Sequence, residues 1–139
     1  MFLLIGSYTL NGDDCPEAPR RLWSGVMRIL FKIIQAGAWA SAVRAGRFEG
    51  AAIDLADGFI HLSAGHQVRE TAARHFAGQE GLVLVAFAED QLANLKWEPS
   101  RGGGLFSHVH GSIDPRLAAW VKPLPWDDGG HRFPPETEL

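Results

Sequence analysis

The stretch Asp57-Gly58-Phe59-Ile60-His61-Leu62-Ser63 decides how the rest of the sequence is read. Asp-Gly is a turn dipeptide, and the apolar run behind it reads as a short strand. Successive side chains of a strand point to opposite faces, so His61 and Ser63 share one face while Ile60 and Leu62 point toward a core. A helical pattern begins at Ala64, which puts Ser63 where an N-cap belongs. A polar pair at a strand end, beside a helix start, is a candidate ligand site.

Working outward, Ala64 to Ala77 reads as the best helix of the chain. Val68, Ala72, His75 and Phe76 form its apolar stripe, Glu70 and Arg74 an i,i+4 pair, and Gly78 its stop. Leu82 to Ala88 has no polar alternation and reads as a central strand covered on both faces. Upstream, Ile29 to Ile34 is a largely buried strand. Ala38 to Ala45 is a short helix with Trp39 and Val43 inside and Gly46 as its stop. Arg47 to Asp57 shows no firm periodicity and reads as a connection. Downstream, Leu95 to Glu98 alternates like a strand, Pro99 to Gly104 is a loop, and Leu105 to Gly111 is extended again. Asp114-Pro115 opens a short turn of helix to Ala119, and Val121 to Trp126 is a proline-interrupted edge strand. Asp128-Gly129-Gly130 turns the chain into a polar tail. Irregularly interleaved strands and helices with short strand-to-strand loops predict an α+β fold with a mostly antiparallel or mixed sheet.

The length of 139 residues suits one domain with a real core. A net charge of −3 argues against a protein that coats nucleic acid or anionic membrane. Cys15 is the only cysteine, so no intramolecular disulfide forms and nothing implies an oxidising compartment. No apolar run is long enough to span a bilayer as a helix, and a cytoplasmic location is expected. Residues 1–26 differ from the rest. They read as a weakly packed extension of the kind an upstream translation start would add, with an edge strand at Phe2 to Ile5 as the alternative. The globular domain is expected at 27–134, followed by a tail at 135–139.

Among the six histidines, placement informs more than number. His108 and His110 are two apart in an expected strand, on one face and about 7 Å apart at the backbone. If that strand neighbours the one carrying His61, three imidazoles converge, with Glu98, Ser100 and Arg101 at the rim. A hydrogen-bonded core role for His61, a structural cap role for Ser63 and an exposed position for His110 are the plainer alternatives. His66 and His75 lie on the helix, His75 on its packed stripe. Arg101-Gly102-Gly103-Gly104 combines a bidentate guanidinium with glycines that let backbone N–H groups approach a phosphate; a flexible hairpin loop is the alternative. The loop is not a P-loop, since the Lys-Ser/Thr ending is missing. No Gly-x-Ser-x-Gly elbow, HExxH or CxxC pattern occurs, and no metal is expected, although a His61, His108, His110 site has ligands of the right type.

DGFIHLS at 57–63, Gln67-Val68 and Thr71-Ala72 on the helix, LVLVAF at 82–87, LKWE at 95–98, Gly103 to His108 and Asp128-Gly129 together resemble the bacterial domain-of-unknown-function family nine-five-two. The resemblance runs from about Met27 to Pro134. It implies a compact, split, mostly antiparallel sheet with flanking helices of the ADP-ribosylation type, which holds NAD in a cleft. His61-Leu62-Ser63 and Leu82 to Phe87 are also similar to the NAD lobe of RNA 2′-phosphotransferases. By motif position, His61 would orient NAD near its nicotinamide ribose, with Ser63 close to the same ligand. Phe59 stands where those phosphotransferases carry an earlier histidine, and their RNA-binding lobe has no counterpart here. Glu98 is the only candidate for the late catalytic glutamate of ADP-ribosyltransferases. An aromatic residue is what the closer family implies at His110.

The expected function is binding of NAD or a related nucleotide, with ADP-ribosyl transfer or hydrolysis as the reaction. His61, Glu98 and His108 are the candidate catalytic residues, and His61, Ser63, Arg101, Gly102 and Gly103 the ligand-binding ones. A small nucleotide-like ligand is the expected partner, without extended nucleic acid or membrane. A non-catalytic nucleotide sensor and a His-rich metal protein are the alternatives.

Overall fold

The structure, a computed structural model, describes residues 28–100 and 103–138. The expected extension at 1–26, and Arg101 and Gly102 of the glycine loop, lie outside the described residues. In chain order the elements are β1 (Ile29–Gln35), α1 (Ala36–Ala45), α2 (Ala52–Asp57), β2 (Ile60–Ala64), α3 (Gly65–His75), β3 (Leu82–Ala88), β4 (Leu95–Pro99), β5 (Leu105–Val109), β6 (Ala118–Leu124) and a small hairpin, β7 (Trp126–Asp127) with β8 (Gly130–His131). Six strands form one sheet in the order β4-β5-β2-β1-β3-β6. Every pairing in it is antiparallel. The α+β class and antiparallel sheet are therefore as expected.

β1 and β3 lie centrally and are buried on both faces, which explains their unbroken apolar runs. Alternation splits β1 between two cores. Leu30 and Ile34 pack with Trp39 and Ala42 of α1 on one face. Phe31 and Ile33 pack with Val68 and Ala72 of α3 on the other. Trp39 anchors the first core through edge-on contacts with Phe48 and Phe87, at centroid distances of 5.7 and 6.2 Å. Pro123 sits in the edge strand β6, where a missing N–H is tolerated.

Several local expectations are corrected. α1 starts two residues earlier than its pattern suggested and buries Trp39 with Ala42, leaving Val43 53% exposed. Ser63 is not the cap of α3. Ala64 holds that position, and Gln67 Oε1 accepts its N–H at 2.9 Å. Ser63 Oγ instead meets Thr71 Oγ1 at 3.1 Å. His75 is exposed, since the buried stripe of α3 runs only through Val68 and Ala72. The helix expected from Asp114 is a 3₁₀ turn over Pro115–Leu117, and the chain enters β6 directly at Ala118.

The largest omission is α2, in the segment read as a connection. This helix is inverted: it buries Asp54 and exposes Ile53 and Leu55 at 59% and 63%. No apolar stripe marks it, so hydrophobic periodicity cannot find it. Gly58, at φ 89°, ends it and turns the chain into β2.

Candidate functional site

β1 and β2 pair only at Leu30–Ala64 and Phe31–Ser63, then separate. Beyond that point two side chains take over the ladder. Asp54 Oδ1 accepts the His61 N–H at 3.1 Å, and Lys32 Nζ donates to the His61 carbonyl at 3.0 Å. Lys32 and Asp54 are themselves paired, with Nζ 2.7 Å from Oδ2 and 2.9 Å from Oδ1. Both side chains are nearly inaccessible, at 7% and 0%. A lysine in a buried strand must bring a buried carboxylate with it. Asp54 also fixes the start of its own helix, because Oδ2 accepts the Ala51 N–H at 2.7 Å.

The same carboxylate orients the histidine. His61 Nδ1 lies 2.6 Å from Asp54 Oδ1, and His61 Nε2 lies 3.0 Å from Asp57 Oδ2, at the last turn of α2. Burial acts to raise the Asp54 carboxyl, but the bonds from His61 and Lys32 overcome it and hold the group down at about 2. Burial pushes the Lys32 ammonium below its ordinary value, and Asp54 opposes that shift.

β2 is hydrogen-bonded on its other side to β5, with His61 directly opposite His108. Both backbone groups of His61 are committed to Asp54 and Lys32, so the two histidines meet as a non-hydrogen-bonded pair, the kind with closer side chains. Their rings lie edge to face at 5.3 Å. Glu98 arrives from β4, next to β5. Its Oε1 lies 2.8 Å from His108 Nδ1 and 2.9 Å from His110 Nε2. The hydrogen bonds from His110 and His108 hold this carboxyl below its ordinary value. Phe59 binds the cluster together. It stacks on His108 at 4.1 Å and lies 4.8 Å from His61 and 5.2 Å from His110.

Next to this cluster is a cleft of about 270 Å³, lined among others by Arg47, Glu49, Leu55, Phe59 and Ser112. Asp54 also borders it. Ser63 lies elsewhere, buried against α3. Gly103, at φ 92°, belongs to the β4–β5 turn, where its N–H donates to the Ser100 carbonyl at 2.9 Å. That turn is tied to the first turn of α3, since Gln67 Nε2 donates to the Leu105 carbonyl at 2.6 Å.

Of the residues singled out from sequence, the structure thus brings together His61, His108, His110 and Glu98. Ser63, two residues further along the same strand, is bonded to Thr71 of α3, and Gly103 lies in the β4–β5 connection. Sequence reading missed Lys32, Asp54 and Asp57. One signal was available, since Lys32 interrupts an otherwise apolar strand and calls for a buried anion. No group of three or more His, Cys, Asp or Glu side chains among the described residues is arranged to hold a metal ion. No described helix is long and apolar enough to cross a membrane.

The family model described as "Protein of unknown function (DUF952)" matches residues 33–121. The crystal structure of protein CC0527 from Caulobacter crescentus, a structural-genomics target, is similar at 44% sequence identity and a TM-score of 0.75. That match covers 80% of this chain and 99% of the other. The solution NMR structure of the same Caulobacter protein matches at 46% identity and a TM-score of 0.68, over 74% of this chain and 90% of that one. No curated protein matches the chain. The matched span reaches from β1 into β6 and takes in the whole histidine cluster, and the chain belongs to the family described as "Protein of unknown function (DUF952)".

Proposed function

We propose that the His61 face binds NAD or a related nucleotide and supports ADP-ribosyl transfer or hydrolysis, on a fold of the ADP-ribosylation type. The observation that carries this reading is the opposition of two histidine–carboxylate pairs, Asp54–His61 and Glu98–His108, with the histidine rings 5.3 Å apart beside an aromatic ring and a cleft. The charges also fit. Asp57 and Glu98 are accessible carboxylates beside Phe59, a setting that suits the cationic pyridinium of NAD and disfavours its phosphates. In this reading the diphosphate lies at the start of α3, with Arg101, Gly102 and Gly103 as the phosphate contacts expected from the sequence. A helix N-terminus favours anions there, and the Gln67–Leu105 bond ties the start of β5 to the first turn of the helix.

In this reading Asp54 and Lys32 are positioning residues that fix the ring of His61. His61 orients the ribose, and Glu98 supports the positive charge that develops on the sugar as nicotinamide leaves. Ser63, bonded to Thr71, serves the packing of α3 and contacts no ligand. Titration calorimetry with NAD, ADP-ribose and nucleoside phosphates, with His61→Ala as control, tests binding, and nicotinamide release tests turnover. Heat with none of the three removes the proposal.

One observation favours a second reading, a nucleotide sensor without turnover. Both ring nitrogens of His61 face carboxylates, so neither is free to carry a proton to or from a substrate. Binding of NAD without nicotinamide release selects this reading.

A further inference from the structure

His108 is the group in this cluster whose chemistry is unfinished. Its side chain is 4% exposed, and Nε2 is a buried polar atom without a hydrogen-bond partner. Buried polar groups are partnered almost everywhere, so an orphan calls for a physical account. The other ring nitrogen decides its character. Glu98 is an acceptor when ionised, so the 2.8 Å contact at Nδ1 requires the proton there. A second proton, on Nε2, would be a buried donor with no acceptor in reach, so the geometry favours the neutral ring with a bare lone pair at Nε2.

Phe59 lies over this ring, stacked at 4.1 Å and 29°. The same Phe59 lines the cleft. It also sits between elements, after Gly58 in its left-handed conformation and before Ile60, where the ladder with β5 begins. No ladder bond fixes its backbone, so its ring can turn without breaking the sheet.

We propose that Phe59 is a movable cover over His108, and that a ligand in the cleft turns it aside so that Nε2 accepts a hydrogen bond from a ligand hydroxyl or amide N–H. Glu98 is in this account a positioning residue that holds His108 in its Nδ1–H tautomer. A bare lone pair among carboxylates repels phosphate and carboxylate oxygens. His108 therefore reads a donor group such as a sugar hydroxyl or a carboxamide. The naming of that ligand rests on the nucleotide reading above; the tautomer and the cover do not.

Two measurements need no ligand. A long-range ¹H–¹⁵N spectrum of the wild-type protein is expected to show His108 as the Nδ1–H tautomer, lost in Glu98→Leu. Diethyl pyrocarbonate attacks unprotonated imidazole nitrogen, with exposed His66 and His75 as internal references. If the uncovered state is about 10% populated or less, Phe59→Ala raises the rate at His108 by at least about tenfold. Phe59→Leu, which keeps a partial cover and a folded core, falls between. An Nε2–H tautomer in the wild type overturns the proposal, as does an unchanged His108 rate in both variants. With NAD as probe, a shift of His108 Nε2 on binding supports it. A shift at His61 with His108 Nε2 unmoved overturns it and leaves the nucleotide reading standing. Absence of any NAD binding overturns the nucleotide reading, and the cover is then decided by tautomer and rate.

Discussion

Replacing Asp54 by alanine removes the group that joins β1, α2 and β2. The carboxylate has no accessible surface and accepts from Lys32 Nζ, His61 Nδ1, the His61 N–H and the Ala51 N–H. Removing one partner of a buried ion pair costs about 3–5 kcal/mol, because the other charge stays buried and unpaired. Loss of the bond to Ala51 adds about 1 kcal/mol as a lost helix cap. A total near 5 kcal/mol is a large part of the ~5–15 kcal/mol that holds a typical domain folded. At about 4 °C per kcal/mol, the melting temperature falls by roughly 20 °C. Urea and thermal denaturation followed by circular dichroism measure this. The double variant Lys32→Met with Asp54→Leu separates the causes. It removes the stranded ammonium and regains about half of the loss, while the His61 and Ala51 N–H groups stay unsatisfied. A cost below ~1 kcal/mol for Asp54→Ala, or a double variant no more stable than the single one, refutes the reasoning.

Other outcomes follow from the same geometry. The Asp54 carboxyl drops from its ordinary 3.8 to about 2 on folding, which supplies about 2 kcal/mol of stability above the higher value, lost as pH falls through the lower one; acid titration of stability shows this window, and Asp54→Asn abolishes it. Trp39→Ala, which empties the contacts with Phe48 and Phe87, costs about 3–5 kcal/mol by denaturant unfolding, whereas Val43→Ser on the exposed side of α1 stays within about 0.5 kcal/mol. Gly50 sits at φ 118°, where an added Cβ would approach Asp54 Cβ to 2.6 Å; Gly50→Ala costs about 1–3 kcal/mol and displaces the His61 resonances. Ser63→Ala leaves the start of α3 intact and costs about 1 kcal/mol or less, while Gln67→Ala removes the acceptor of the Ala64 N–H and frees the Leu105 carbonyl.

The parts of this fold legible in the sequence are those where local pattern and tertiary role agree. β1 and β3 announced themselves as unbroken apolar runs because both faces are covered, and α3 through its Val68–Ala72 stripe. The strand placements of His61, His108 and Glu98 were legible for the same reason, through alternation. Their meeting was not, because it depends on β5 crossing to lie between β2 and β4, which no local signal carries. α2 was hidden by its inverted polarity, with a buried aspartate between two exposed aliphatics. Asp54 stayed invisible with it, although Lys32 was a sequence-level demand for such a partner. Ser63 was misread by one residue. Its position suits a cap, but the chain continues extended through Ala64, and Gln67 closes the helix start.

If a nucleotide binds at the histidine face, an NMR titration of labelled protein with NAD reports it residue by residue. Saturable shifts are expected at Phe59, His61, His108 and Gly103, with affinity falling by about tenfold or more in His61→Ala as the ring that positions the ribose is lost. No shifts with NAD or ADP-ribose, or shifts away from these residues that persist unchanged in His61→Ala, would contradict it.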